Sequence, residues 1–140
     1  MPTPITVPAG YAPAFAVGFS DPSEQLTIVG EGARLPVSVA APAPAPVAGQ
    51  SSVPELVGPF NATAGRVVSV TLGGAWEGTV RLLRSTDGGT TKVPLRVGGI
   101  DWGEYTSPGC EQAWVESEDG ASFYLDIALV SGSVAYRVSQ

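Results

Sequence analysis

At 140 residues the chain is sized for one ordinary domain, and 44% of it is hydrophobic while only 14% is charged, well under the usual quarter. Eighteen Gly and thirteen Pro exclude long helices over much of the length and favour short strands and turns. A net charge of −6 with seven Lys and Arg excludes a phosphate-binding surface, the absence of His removes the Ser-His and Cys-His nucleophile pairs, and the lone Cys110 allows neither an intrachain disulfide nor a thiolate metal cage.

From Met1 to Ala40 the sequence is apolar but punctuated by Pro2, Pro4, Pro8, Pro13, Pro22 and Pro36, so strand pairing there is local. Residues 24–30 and 34–40 read as two short strands around Glu31-Gly32, with Leu35, Val37 and Val39 on one face. Ile5, Val7, Tyr11 and Phe15 stand among prolines and cannot be buried by this segment alone. They lie along the rest of the chain or along another chain, or they form a disordered tail. Met1-Pro-Thr-Pro lacks the basic stretch and apolar run of a signal peptide, and no run of eighteen apolar residues occurs. The expectation is a soluble protein, without a membrane partner, kept in a cytoplasm until it joins an assembly.

Residues 41–50 open with Ala41-Pro42-Ala43-Pro44-Ala45-Pro46, which favours polyproline II and reads as a stiff spacer. Residues 51–140 then carry the fold. Apolar residues alternate at Val68, Val70 and Leu72; Val80 and Leu82; Val93, Leu95 and Val97; Phe123, Leu125, Ile127 and Leu129; and Val134, Tyr136 and Val138. Each set reads as the inner face of one strand. Turn signals fall at Ala64-Gly65, Gly73-Gly74, Asp87-Gly88-Gly89, Gly98-Gly99, Pro108-Gly109, Asp119-Gly120 and Ser131-Gly132. Seven or eight short strands at this spacing predict an all-β fold, an antiparallel β-sandwich of the jelly-roll or immunoglobulin-like sort, preceded by an extended arm with a short hairpin. Trp76, Trp102 and Trp114 are expected to close its core, and Cys110 to be a small, partly buried turn residue.

Three motifs bear on chemistry. Ser85-Thr86-Asp87-Gly88-Gly89-Thr90-Thr91 resembles the Asp-box hairpin, with Lys92 where that pattern has Trp, and it specifies a turn rather than a reaction. Asp101, Glu104, Glu111, Glu116, Glu118 and Asp119 have neither paired-carboxylate nor calcium-loop spacing, and residues 116–120 read as a solvated turn. No cofactor, metal or catalytic residue is therefore assigned, and the chain does not read as an enzyme. Trp102, Tyr105 and Trp114 lie close enough in sequence to form a sugar-stacking platform if they face outward.

Two stretches carry a family resemblance. Gly18-Phe19-Ser20-Asp21 followed by Leu35-Pro36-Val37-Ser38-Val39 is similar to the N-terminal segments of small virion proteins of tailed bacteriophages and related particles. Trp76-Glu77-Gly78-Thr79-Val80, Asp87-Gly88-Gly89 and Gly132-Ser133-Val134-Ala135-Tyr136-Arg137-Val138 resemble the β-sandwich of the same kind of protein. Together they touch less than half of the chain. The resemblance implies a virion structural protein, a capsid decoration or head-spike component assembled in the bacterial cytoplasm. Its partners would be capsid or other virion proteins, with homo-oligomers on the particle. The particle-binding arm would present Ile5, Val7, Tyr11, Phe15, Phe19, Leu35 and Val37. The alternative is a carbohydrate-binding sandwich serving adsorption to host-surface glycan.

Overall fold

The computed structural model describes residues 18–20, 25–29 and 42–140. The chain divides into two units, residues 1–40 and 41–140. In chain order the strands are β1 (Gly18–Ser20), β2 (Leu26–Ile28), β3 (Val47–Ser51), β4 (Glu55–Asn61), β5 (Val67–Gly73), β6 (Trp76–Ser85), β7 (Val93–Val97), β8 (Ile100–Trp102), β9 (Glu104–Tyr105), β10 (Gly109–Val115), β11 (Ser122–Gly132) and β12 (Val134–Ser139). Among the described residues there is no helix.

In the first unit β1 and β2 form an antiparallel pair, Gly18 opposite Ile28 and Ser20 opposite Leu26. Residues 34–40, the expected partner of residues 24–30, lie outside the described residues. Phe19, on β1, is half-buried. Ile5, Val7, Tyr11, Phe15, Leu35 and Val37 lie outside the described residues.

The second unit is a β-sandwich. One sheet has the strand order β10-β5-β12-β3, and the other has β4-β11-β6-β7-β8 with β9 also paired to β6. All pairings are antiparallel. The spacer is shorter than expected. Residues 42–46 have no regular structure, but Val47 already pairs with Val138, because beyond Pro46 each residue again has an N–H to donate to a neighbouring strand.

The core forms where the alternating faces meet. Val68, Val70, Leu72, Val80, Leu82, Phe123, Leu125, Ile127, Leu129, Val134 and Val138 are all buried, as their period of two dictates, and Leu95, Phe60 and Ala113 complete the cluster. Trp76, Trp114 and Tyr136 pack on its rim. The expected inner face of β7 is only one-third realised: Leu95 is buried, whereas Val93 and Val97 are exposed. β10 is an edge strand of the other sheet, β8 an edge strand of this one, and Leu95 is the β7 residue that joins the core cluster. Trp102, on β8, is half-exposed and is not a core residue as its sequence context suggested.

Candidate binding surface at the sheet edge

β7 and β8 are joined by the two residues Gly98 and Gly99, and Val97 pairs with Ile100, Arg96 with Asp101 and Leu95 with Trp102. Directly opposite residues in an antiparallel pair share a face. Leu95 faces the core, so Val93, Val97, Ile100 and Trp102 lie as a strip on that same side of the β7–β8 hairpin, and all four are exposed around the buried Leu95. Ile100 is 74% exposed and Val97 51%, unusually open for branched aliphatic residues brought together on one face. The Trp102 indole N–H anchors the strip, donating to the Ala113 carbonyl of β10 at 2.7 Å.

This geometry corrects the expected sugar-stacking platform. Tyr105 pairs with the core residue Val80, so its ring turns inward, and its hydroxyl is buried without a hydrogen-bond partner. Burial, reinforced by the Glu111 carboxylate, pushes its pKa up to about 12. Trp114 pairs with Val68, packs against the core and is half-buried. Of the three rings only Trp102 is exposed, and they form no common outward face.

The outer face of the same region is polar. Arg96 bonds Asp101 at 2.8 Å and Arg81 bonds Glu104 at 2.7 Å, and both ion pairs join residues directly opposite one another on neighbouring strands. Hydrogen bonding to Glu104 and its negative charge raise the Arg81 pKa above its usual value. Arg81, Leu82, Pro94, Arg96, Asp101, Trp102 and Glu104 line a cleft of about 120 Å³. A signal for one pair was present in the sequence. Arg96 and Asp101 stand symmetrically about Gly98-Gly99, so a two-residue hairpin turn must place them opposite each other.

Three further carboxylates, Glu116, Glu118 and Asp87, are bonded within the fold. Residues 116–120 were expected to be a solvated turn, yet Glu116 is fully buried. Both its oxygens accept from Arg84 at 2.8 Å, and Oε1 also accepts the backbone N–H of Ser117 and Glu118. The Arg84 bond holds the Glu116 carboxyl below the usual range despite burial, and Glu118 adds a second carboxylate on Arg84 at 2.9 Å. Asp87 builds the turn its motif announced. Its carboxylate accepts the Thr91 N–H and the Ser85 hydroxyl, while Ser85 Oγ accepts from the Gly89 N–H. The Thr91 bonds foremost lower the Asp87 pKa to about 2. Lys92, where the Asp-box pattern has Trp, lies 4.7 Å over the Tyr124 ring and donates to the Gly89 carbonyl.

Cys110 is exposed on β10, where Thr71 Oγ1 donates to its sulfur at 3.3 Å, and is not the partly buried turn residue expected. Strand pairing with Thr71 brings Cys110 into the sheet directly after Pro108-Gly109. Among the described residues no group of three or more His, Cys, Asp and Glu could hold a metal ion, and no helix is long and apolar enough to cross a membrane. No protein family, curated protein or solved structure matches the chain.

Proposed function

We propose that the protein is a non-enzymatic virion structural component, a decoration or head-spike subunit that works by binding other particle proteins. The observation that carries this reading is the uncovered strip of Val93, Val97, Ile100 and Trp102 on the β7–β8 hairpin. Contiguous exposed apolar side chains on a folded domain mark contact surfaces, because leaving them in water forfeits about 25 cal/mol for each Å² that a partner would cover.

Four side chains fall short of the roughly 800 Å² per partner of a standard interface, so one such contact is weak. A symmetric shell repeats the contact, and avidity makes it durable. The apolar, proline-punctuated residues 1–40 offer a second attachment. Of the carboxylates that a catalytic reading would draw on, Glu116 and Glu118 bond Arg84, and Asp101 and Glu104 each bond an arginine through one oxygen.

Mass spectrometry of purified particles tests the reading directly. The protein is expected at a stoichiometry matching a symmetric site, and its absence from intact particles overturns the proposal. Removing residues 1–40 should leave a folded sandwich with reduced particle occupancy. Full occupancy by the truncated protein would assign attachment to the sandwich alone.

A further inference from the structure

We infer that the cleft between β6, β7 and β9 binds one pyranose residue of a neutral glycan, gripping a pair of vicinal hydroxyls. This goes beyond the proposed function and does not depend on it.

The cleft exists because two short strands share one side of β6. β7 pairs with it only at Val93 and Pro94, while β9 pairs at Val80 and Arg81. Between them the Leu82 N–H is taken by the Gly103 carbonyl at 2.8 Å. β7 therefore parts from β6 after Pro94, and the cleft opens over Leu82 and Pro94.

Its walls carry the two cross-strand ion pairs, and each pair is made through the arginine Nε and a single carboxylate oxygen. Among the described residues no further hydrogen bond is made by their terminal guanidinium nitrogens or by the second oxygen of either carboxylate, which are donors and acceptors for a ligand. Arg84 supplies the contrast. It bonds both oxygens of Glu116 and one of Glu118 through Nε and one terminal nitrogen, so three of its N–H groups are already committed within the fold.

A sugar hydroxyl both donates and accepts. Adjacent hydroxyls on a ring thus match a wall on which guanidinium donors alternate with carboxylate acceptors. Each ion pair holds its own side chains in place, which lowers the entropy lost on binding. Two guanidinium groups against two carboxylates balance in charge, and the chain as a whole carries −6, so a phosphate or an acidic sugar gains no electrostatic advantage. At about 120 Å³ the cleft is well below the size of pockets that engulf a ligand, so it takes only the hydroxyl-bearing edge of one ring and leaves the rest outside. Trp102 borders the cleft while its indole is tied to Ala113. It serves as a reporter of occupancy rather than a stacking face.

The test is titration of the ¹⁵N-labelled full-length chain with methyl glycosides of glucose, galactose, mannose and N-acetylglucosamine, to about 50 mM, where millimolar binding is measurable. At least one should produce saturable shifts at Arg81, Arg96, Asp101, Glu104 and the Trp102 indole N–H. The double variant Arg96→Gln/Asp101→Asn should weaken that binding by about tenfold or more, with the remaining resonances unmoved to report an intact fold. Three results would each overturn the inference: no saturable shift with any of the four glycosides, equal affinity in the double variant, or tighter binding of glucuronate than of its neutral counterpart. Particle occupancy does not enter this measurement, so its failure is distinguishable from failure of the virion reading.

Discussion

Arg84 and Glu116 form a two-bond ion pair joining β6 of one sheet to the chain just beyond β10 of the other, with the Glu116 side chain wholly shielded from water. The Glu116 backbone N–H also donates to the Arg66 carbonyl, and its carbonyl accepts from Gly65, so one residue binds the β4–β5 connection, the end of β10 and β6 together. Such a pair contributes little over a well-packed apolar replacement, but losing one partner strands the other charge.

Arg84→Met should therefore destabilise the sandwich by about 3 kcal/mol, and the double variant Arg84→Met/Glu116→Leu should regain most of that loss. Urea unfolding of the three proteins measures it. A double variant no more stable than Arg84→Met would show that the ion pair is worth more than apolar packing at this position.

Acid should weaken the fold through two carboxylates. Glu116 and Asp87 both have folded-state pKa values below their ordinary 4.5 and 3.8. Their contributions are complete above those ordinary values and are lost as pH falls through the lowered ones, because the unfolded chain then binds protons more readily. The thermal midpoint is expected to drop between about pH 5 and pH 2, and Glu116→Gln should show a shallower drop from a lower starting point. Parallel profiles for the two proteins would remove Glu116 from the explanation.

Tyr105→Phe should leave the fold as stable as before or raise its stability by about 1 kcal/mol, since it deletes a buried hydroxyl that has no partner. The same change bears on alkaline stability. The Tyr105 pKa is raised, so its protonated form favours the folded state below pH 10.0, and that contribution is lost as pH rises towards about 12. Alkaline unfolding should accordingly shift upward in the Phe variant.

The Asp87 turn offers a paired comparison. Gly88 and Gly89 both adopt positive φ, 71° and 88°, but a Cβ at Gly88 meets open space whereas one at Gly89 runs into the Tyr124 hydroxyl. Gly88→Ala should cost about 1 kcal/mol for the left-handed backbone alone, and Gly89→Ala clearly more. Equal costs from denaturant curves would contradict the packing of Tyr124 beneath the turn.

On the sheet edge, Ile100→Asp should change stability by no more than about 0.5 kcal/mol, as expected of an exposed site. Under the proposed function it should also lower particle occupancy, read by quantitative mass spectrometry. Undiminished occupancy would take the strip out of the contact.

Periodicity in the sequence was enough to locate the core. Val68 to Leu72, Val80 with Leu82, and Phe123 to Leu129 announce their buried faces because a strand's side chains alternate whatever surrounds it. The Asp87 turn was equally legible, since its bonds run between residues four apart or fewer. The same local reasoning misjudged Val93, Val97 and Trp102, whose exposure follows from the place of β7 and β8 at the edge of their sheet. It also misjudged Glu116, whose burial depends on an arginine thirty-two positions away. Alternation and turn chemistry are properties of neighbours along the chain, and those the sequence determined by itself. Sheet edges, the cleft at β6 and the partner of a buried charge arise only when distant strands are laid side by side, and those the tertiary structure decided.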